Sequence, residues 1–309
     1  MRILFTNNHL KVLQGSETAT YTMVHALARA GHQVSVFTRD LGLMSDRLVK
    51  DGFDLTSNLE DWKDRKFDVA HCHHYPMAVI TRKVFPDLSM VFLSHGVIPD
   101  MERPPPKETG VAVHCAVSEE VKRKLVGLGV ENVDVMRNAV DCRRFRPRSR
   151  INERPERVMV LSNHFSGCVK RMADACKRIG TKRFWVVGQE KLAQWDVEAA
   201  IDNADLVVTL GRGCLESMAC GRAVLVFDMH GADGLLRPKN WTEVRKNNFS
   251  GRRYKHQWTV DDIVQEMEGY TQMMGSLNRA YAVKHHNIDV EVEQWKVIYL
   301  RAIKIGVPS

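Results

Sequence analysis

Several features that would place this chain in a familiar class are missing from its sequence. The seven cysteines are scattered singly, and none forms a Cys-x-x-Cys pair. A disulfide framework is therefore not indicated, and we expect reduced, mostly buried thiols in a cytoplasmic protein. No apolar run approaches the roughly 18 residues of a membrane span, and the apolar stretch after Arg2 is too short for a signal peptide. Any membrane contact is expected to be peripheral.

Motifs of dinucleotide and metal sites are also missing. The first loop contains a single glycine, Gly15, instead of Gly-x-Gly-x-x-Gly, which argues against a dehydrogenase. Three histidines, His71, His73 and His74, lie together at the end of one predicted strand. They lack the His-x-x-x-His spacing and a carboxylate arranged as a ligand. Packing in a loop or in the core is therefore favoured for them over metal binding, and no metal site is predicted.

The composition is that of a basic globular protein. At 309 residues the chain is long enough for about two domains, and 44% apolar with 27% charged residues is ordinary. A formal charge of +8 and a pI near 9.1 favour an anionic partner such as a nucleotide, a phosphorylated lipid surface or nucleic acid. Nucleic acid is the least favoured of the three, because no aromatic stacking platform or known module accompanies the charge.

Apolar runs and helical segments alternate along the chain. The first example is a strand at Ile3–Phe5, a polar loop, a helix at Thr18–Ala30 and a strand at Val34–Phe37. This order is a βαβ unit, whose two strands are parallel and whose crossover should be right-handed. The first loop therefore lies at the carboxyl edge of a parallel sheet, where ligands bind in such folds. The alternation predicts an α/β fold.

An arginine-rich segment, Cys142–Arg157, separates two halves of this pattern. It holds seven arginines and two prolines, and the alternation restarts after it at Val158–Leu161. We place the domain boundary here, with domains at residues 1–150 and 151–309, and the last helix is free to pack back on the first domain. A solvated linker is slightly favoured for the arginines over a basic rim that faces phosphate groups.

The stretch Val207–Asp228 organises the second half and reads VVTLGRGCLESMACGRAVLVFD. It predicts a buried strand, a glycine turn, a helix at Cys214–Cys220 and a further strand at Ala223–Phe227. A glycine turn into a helix N-terminus exposes N–H groups and the positive helix pole, which suits phosphate. Glu216 lies about one turn into the helix and could accept hydrogen bonds from two neighbouring sugar hydroxyls. On spacing alone, complementing the helix dipole is the favoured role for this carboxylate.

A histidine follows the predicted strand Met90–Leu93, in the sequence Ser94-His95-Gly96. At the carboxyl edge of a parallel sheet, His95 would face the presumed cleft. It could bind a substrate hydroxyl or serve as an acid or base. A purely structural role is equally open on these grounds.

The order of these segments resembles the retaining glycosyltransferases of the GT-B fold, in the large GT4-type group. The first βαβ segment, MRILFTNNHL…GSETATYTMVHALARAGHQVSVFT, is similar to that group, as are FDVAHCHHY and the histidine loop at His95. The most specific segment is AVSEEVKRKL…VMRNAVDCRRFRP, which looks like the end of the group's first domain. GCLESMACGRAVLV looks like its donor motif. The resemblance covers nearly the whole chain.

The resemblance implies two Rossmann-like domains facing each other across a cleft. The second domain of this chain is trimmed relative to the group, because Gly188 is followed closely by Leu206, where the group usually has another strand and helix. A nucleotide sugar would lie mainly on the second domain and the acceptor on the first. Transfer would retain the anomeric configuration and need no metal, because basic side chains and helix N-termini neutralise the diphosphate. The absence of an Asp-x-Asp motif agrees with this. No cofactor is expected besides the donor, a UDP- or GDP-sugar, and the acceptor is left open: a glycan, lipid, protein or small molecule.

The resemblance also assigns roles to individual residues. The catalytic set would be His95 at the donor sugar, Lys170 at the leaving group and Glu216 on the donor ribose. The donor and phosphate ligands would be Gly15, Ser16, Asn163, Arg171, Gly213, Cys214 and Leu215. In this group the leaving phosphate itself is thought to help deprotonate the acceptor, so no dedicated protein base is required.

Several positions that would bind the donor depart from the pattern of the group. Val208 replaces the first of two paired glutamates, the one that usually contacts the donor sugar. The usual glycine-arginine pair appears as Ser162-Asn163, and Lys170 lies later than the common spacing. These departures keep an alternative open, namely a GT-B-fold binding protein that has lost part of its donor site and does not catalyse transfer. A nucleotide-sugar epimerase of the same architecture is disfavoured by the NAVDCRRFRP passage.

Overall fold

A computed structural model describes residues 1–13, 15–162, 168–188, 195–229 and 231–308. The strands are β1 (Arg2–His9), β2 (Gln33–Asp40), β3 (Asp54–Thr56), β4 (Val69–His73), β5 (Met90–Ser94), β6 (Val113–Ala116), β7 (Asp134–Val135), β8 (Arg157–Leu161), β9 (Arg183–Val187), β10 (Leu206–Thr209), β11 (Ala223–Asp228) and β12 (Gly231–Leu235). The α-helices are α1 (Gly15–Arg29), α2 (Leu43–Lys50), α3 (Tyr75–Val84), α4 (Glu119–Gly127), α5 (Val169–Arg178), α6 (Val197–Asp202), α7 (Arg212–Ala219), α8 (Trp241–Arg245), α9 (Val260–Glu268), α10 (Met273–His285) and α11 (Ile288–Ile305).

The first sheet is parallel throughout and has seven strands, in the order β3-β2-β1-β4-β5-β6-β7. In its register, Ile3 of β1 lies opposite Val34 of β2 and Val69 of β4. The strand order changes direction between β1 and β4. Ligands of open α/β sheets bind at such a switch point, outside the carboxyl ends of the strands.

The core of this sheet explains why its strands read as unbroken apolar runs. Leu4, Phe5 and Phe92 are completely buried, as expected for parallel strands that are covered on both faces. Helix α11 contributes Trp295 and Tyr299, which are also buried, and α11 contacts β4, β5 and β6. The end of the chain is therefore part of this core.

The second sheet has five strands in the order β12-β11-β10-β8-β9, and β12 is antiparallel to β11. One apolar cluster packs α7 on one face, and another packs α5 and α9 on the other. Helix α10 approaches α7 very closely. A Cβ on Gly275 would lie 2.4 Å from the carbonyl oxygen of Gly221, so this contact needs glycine.

The chain divides into two compact units. The first unit comprises Met1–Asn138 and Ile288–Ser309, and the second unit comprises Ala139–Asn287. The sequence-based boundary at residue 150 lies within the second unit by this division, because Val140, Cys142 and Phe145 pack in the core of the second sheet. Helix α11 is part of the first unit.

Several elements differ from the sequence-based expectations. Strand β1 continues to His9 and α1 already begins at Gly15, so the first loop is shorter than predicted. The polar sequence His230–Asp233 predicts a loop, yet Gly231–Leu235 forms β12 by pairing with the edge of β11. Helix α10 was not predicted.

The predicted state of the cysteines is confirmed, since all seven are buried and none is in a disulfide. None of the helices in the described ranges has the length and apolarity needed for a bilayer span.

Candidate active site

The carboxyl ends of three neighbouring strands gather four histidines at one edge of the first sheet. His9 ends β1, His73 ends β4 and is followed by His74, and His95 follows β5. The ring centroids of His9 and His74 are 5.3 Å apart, and those of His73 and His95 are 4.3 Å apart. Of these four residues, the sequence pointed to a substrate contact only for His95.

Gly15 and Ser16, the predicted phosphate ligands of the first unit, open helix α1. Gly15 is exposed, and within the described part of the chain no atom lies within 4 Å of where its Cβ would be. The Ser16 hydroxyl donates to Glu17 Oε2 at 2.8 Å, and the Asn7 side chain donates to the Ser16 carbonyl oxygen at 3.3 Å. These bonds fix the first turn of α1 against the end of β1, with open space in front of the glycine.

Glu17 is buried beneath this turn and pairs with His9. His9 Nδ1 is 3.1 Å from Glu17 Oε1, and the side chain of Glu17 is 1% exposed against 26% for His9. The hydrogen bond to Glu17 raises the pKa of His9, although burial opposes that rise. When protonated, this imidazole adds positive charge to this edge of the sheet, near the N-terminus of α1.

Replacing Glu17 with glutamine should lower the pKa of His9, because a neutral amide stabilises the imidazolium less than a carboxylate does. NMR titration of the His9 ring measures the change, with Glu60→Gln, at an exposed position of the same unit, as the control. A raised histidine pKa stabilises the fold below the unfolded value of about 6.5, and this stabilisation disappears as the pH rises through the folded pKa. The variant should therefore lose most stability in acid. An unchanged His9 titration would contradict the pairing.

His95 is held through its backbone. Its N–H donates to Oε2 of Glu102 at 2.5 Å, and the hydroxyl of the preceding Ser94 donates to the carbonyl oxygen of Glu102 at 2.7 Å. Glu102 is 4% exposed. The imidazole of His95 packs edge-on against His73, so the residue is fixed from two sides.

Two buried histidines lie behind His95. His73 Nε2 is 3.1 Å from His71 Nε2, and His71 Nδ1 is 2.7 Å from the hydroxyl of Tyr299 on α11. Burial lowers the pKa of His71 to about 3 and that of His73 well below its usual value, so both are neutral near pH 7. The packing role favoured for them is observed. In the residues that the structure describes, no group of histidine, cysteine, aspartate and glutamate side chains could hold a metal ion.

In the second unit, helix α7 follows β10 through the predicted glycine turn and begins at Arg212, two residues earlier than expected. Gly211 precedes the helix with φ of 56°, a conformation that favours glycine. A Cβ on Gly213 would lie 2.1 Å from Oγ1 of Thr209. The two glycines thus allow a sharp turn and a close packing of α7 on β10.

The amide groups that were predicted to hold a diphosphate are partly engaged. The N–H of Gly213 donates to the Leu210 carbonyl and that of Cys214 to the Gly211 carbonyl, both at 3.1 Å. The first turn of α7 is closed by these short-range bonds, as helix termini often are. The expectation of unpaired N–H groups at 213 and 214 is therefore wrong. Cys214 and Leu215 are buried.

Glu216 lies about one turn into α7 and is buried beside an arginine. Its Oε1 is 3.5 Å from Nη2 of Arg212, and the two side chains are 11% and 10% exposed. Arg212 also donates to the carbonyl oxygen of Ala139 at 3.0 Å. Burial raises the pKa of Glu216, and the positive charges of Arg212 and Arg144 oppose the rise. Burial thus disfavours the ionised form of Glu216, whereas the two arginines favour it.

Arg144 belongs to these surroundings, although its segment was interpreted as a solvated linker. Its Nη2 is 2.9 Å from Oε2 of Glu198, and its guanidinium lies 4.6 Å from the ring of Trp195. It also donates to the Trp195 carbonyl oxygen. The linker interpretation is wrong for this arginine, because an ion pair and an aromatic ring hold it.

The remaining predicted ligands of the second unit lie on or before α5. Lys170 and Arg171 are in the first turn of α5, and Lys170 is exposed. Arg171 donates to the carbonyl oxygen of Trp258 at 2.5 Å, and its guanidinium lies 5.5 Å from the ring of Phe227. Arg171 is therefore engaged in packing. Asn163 lies outside the described residues.

Comparisons with known proteins show which family model and which solved structures this chain is similar to. Residues 13–144 match the model of a family described as Glycosyltransferase Family 4. A solved structure of Alr3699/HepE from Anabaena, in complex with UDP-glucose, is similar with a TM-score of 0.65 at 12% identity, over 95% of this chain and 98% of that one. The fold is GT-B, and the family match is Glycosyltransferase Family 4. The GT-B fold that the resemblance implied is confirmed, and the glycosyltransferase family model matches the first part of the chain.

Other GT-B structures show the same likeness. A glycosyltransferase from Rickettsia africae has a TM-score of 0.66 at 14% identity, over 98% of this chain and 99% of that one. TarM has a TM-score of 0.65 at 10% identity, over 96% of this chain and 98% of that one. Identities this low establish the fold alone. No curated protein sequence matches the chain.

Several residues at the candidate sites of the two units were missed by sequence reasoning. Glu17 could have been recognised, because helical spacing puts it on the same face of α1 as the buried Val24 and Leu27. Glu102 lies in a proline-rich loop without periodicity, and Arg144 lies in a charged segment. Nothing local indicates that either residue is held by distant partners.

Proposed function

We propose that the protein transfers a sugar from a nucleoside-diphosphate sugar, with UDP or GDP as the nucleotide, to an acceptor. Transfer proceeds with retention at the anomeric carbon and without a metal ion. The family match and the GT-B fold support glycosyl transfer, and the Anabaena neighbour crystallised with UDP-glucose supports a nucleotide-sugar donor. The acceptor is a glycan, lipid, protein or small molecule.

The observation that carries the proposal is the buried carboxylate of Glu216 at the carboxyl edge of the second sheet. A carboxylate that is 11% exposed, one helical turn from a glycine turn, is costly unless it is paired. Its contact with Arg212 is 3.5 Å long and leaves acceptor capacity on the carboxylate oxygens. We assign that capacity to the two ribose hydroxyls of the donor nucleotide.

The charge of the leaving diphosphate is neutralised by Lys170 and by the positive poles of α5 and α7. Lys170 is preferred over Arg171 because Arg171 already bonds Trp258 and packs on Phe227. On the first unit, Gly15 and Ser16 let the backbone at the start of α1 come close to the phosphates. His95 contacts the transferred sugar, and the leaving phosphate accepts the proton of the acceptor hydroxyl.

Calorimetric titration with UDP, GDP, ADP and CDP, in buffer containing EDTA, tests the proposal. We expect saturable binding of UDP or GDP with an affinity that EDTA does not change, because the chain's own cations balance the diphosphate. Uridine and guanosine, which lack the diphosphate, are the matched controls and should bind more weakly. If none of the four nucleotides binds, the transferase proposal fails and a binding protein without a donor site takes its place.

A further inference from the structure

Glu102 is a buried carboxylate for which the sequence analysis indicates no role. It ends a short 3-10 turn, Asp100–Glu102, in the loop that follows His95, and it is 4% exposed. Nothing in the core packing requires a carboxylate here, and burying one costs free energy unless it is well bonded. Its bonding partners therefore indicate its role.

Those partners are the backbone groups that carry His95. Oε2 of Glu102 accepts the His95 N–H at 2.5 Å and lies 3.4 Å from the hydroxyl of Ser94. The N–H of Gly96 also faces this carboxylate and lowers its pKa. Two consecutive N–H groups pointing at one carboxylate define the turn at His95 and Gly96.

The other carboxylate oxygen faces His74. Oε1 of Glu102 is 3.6 Å from Nε2 of His74, and both side chains are almost completely buried. His74 Nδ1 accepts the N–H of Asn8 at 3.4 Å, which places the ring proton on Nε2, toward Glu102. His74 has φ of 65°, an unusual conformation for a residue other than glycine. The carboxylate thus contacts the residues that follow β4 and β5, and His74 links it to Asn8 near the end of β1.

We propose that Glu102 is a positioning residue, whose carboxylate fixes the backbone at His95 and Gly96 and so aims the His95 imidazole at the transferred sugar. The role of His95 at the sugar rests on the proposed function. The bonding geometry of Glu102 does not depend on it. The two parts can therefore be tested separately.

Because the loop is held by the carboxylate of Glu102, its conformation should depend on pH. Burial raises the pKa of Glu102 to about 7, although the N–H groups of His95 and Gly96 and the Ser94 hydroxyl favour the ionised form. The other groups that face it are Lys124 on α4, which also lowers this pKa, and His74, which burial keeps neutral with a pKa of about 4. Below about pH 7 the carboxyl becomes neutral and accepts the His95 N–H less strongly, so the loop loosens in acid.

NMR tests the positioning without any substrate. The amide protons of His95 and Gly96 should shift with a common midpoint near pH 7 in the wild type, because the His95 N–H donates to the titrating carboxylate and the Gly96 N–H faces it. In Glu102→Gln, which keeps the size of the side chain, this titration should vanish. Glu108→Gln, at an exposed position six residues away, should leave it unchanged. If the two amides do not titrate together, or still titrate in Glu102→Gln, the positioning contact is refuted.

Kinetics tests the consequence for transfer. Glu102→Gln should lower kcat at least about tenfold, because small misplacements of a catalytic contact cost this much or more, and should leave the UDP affinity unchanged. The acid limb of the kcat profile, with a midpoint near pH 7 in the wild type, should disappear. Glu102→Asp should restore part of the lost rate, since a carboxylate is present again.

A double variant separates failure of this inference from failure of the proposed function. If Glu102 acts through His95, then His95→Ala with Glu102→Gln should be no slower than His95→Ala alone. Multiplicative losses in the double variant would overturn the inference. If His95→Ala leaves turnover unchanged while the amide titration is as expected, the assignment of His95 to the sugar fails and the positioning contact stands.

Discussion

Replacing Arg222 with methionine should lower the free energy of unfolding of the second unit by about 3–5 kcal/mol, the cost of removing one partner of a buried ion pair. Arg222 is 0% exposed, and its Nη2 is 2.9 Å from Oδ1 of Asp202. The same guanidinium donates to the carbonyl oxygens of Ser149, Ala204 and Cys220. Without it, the carboxylate of Asp202 and four carbonyl oxygens, that of Asp202 included, each lose a donor.

Urea denaturation of the full chain measures this loss, and hydrogen exchange of peptides from residues 139–287 locates it in the second unit. Arg178→Met is the matched control. Arg178 pairs with Asp261 on the surface, where the two side chains are 54% and 84% exposed, so its removal should cost less than about 1 kcal/mol. A loss for Arg222→Met no larger than for Arg178→Met would show that the buried network is not what holds the second sheet to its flanking segments.

Arg222 also illustrates what the sequence can and cannot predict about this fold. Ala223–Phe227 and Val207–Val208 are unbroken apolar runs, and both were predicted correctly as buried parallel strands. An arginine next to such a run would ordinarily be assigned to solvent. Its burial depends on carbonyl groups from segments up to 73 residues away in the chain, and local patterns carry no information about such partners.

Strand β12 shows the same limit for secondary structure. The residues GADGL have no strand pattern, because two glycines and an aspartate interrupt them. They form a strand because Leu235 and Gly234 pair with Leu225 and Val226 at the edge of β11. Here tertiary pairing overrides the local preference, so a polar loop was the natural expectation.

For the candidate site, the sequence identified side chains but not their surroundings. Glu216 and His95 were indicated by motifs that lie at strand and helix ends, and the structure places them there. The partners that set their charge and geometry come from elsewhere. Arg144 is 72 residues before Glu216, while Glu102 follows His95 through a loop without periodicity. The positions of these partners depend on the fold.

Replacing Glu216 with alanine should weaken UDP binding by about 1.5–3 kcal/mol, the range for a hydrogen bond to a charged group. The proposed partners of the carboxylate are the 2′ and 3′ hydroxyls of the ribose. Calorimetric titration of the wild type and the variant measures the loss. Glu268→Ala, at an exposed position on the last residue of α9, is the control and should bind UDP as the wild type does.

Removing Glu216 also leaves Arg212 buried with one partner fewer, so a change in affinity alone does not identify the ribose as its ligand. A nucleotide without ribose hydroxyls, 2′,3′-dideoxy-UDP, resolves this. The wild type should prefer UDP over the dideoxy nucleotide by a margin that Glu216→Ala loses, because in a double-substitution cycle only interacting groups are coupled. If the variant binds UDP more weakly but keeps the full preference, the carboxylate does not contact the ribose. It then acts by pairing the buried charges of Arg212 and Arg144, and the ribose hydroxyls must be held by another residue.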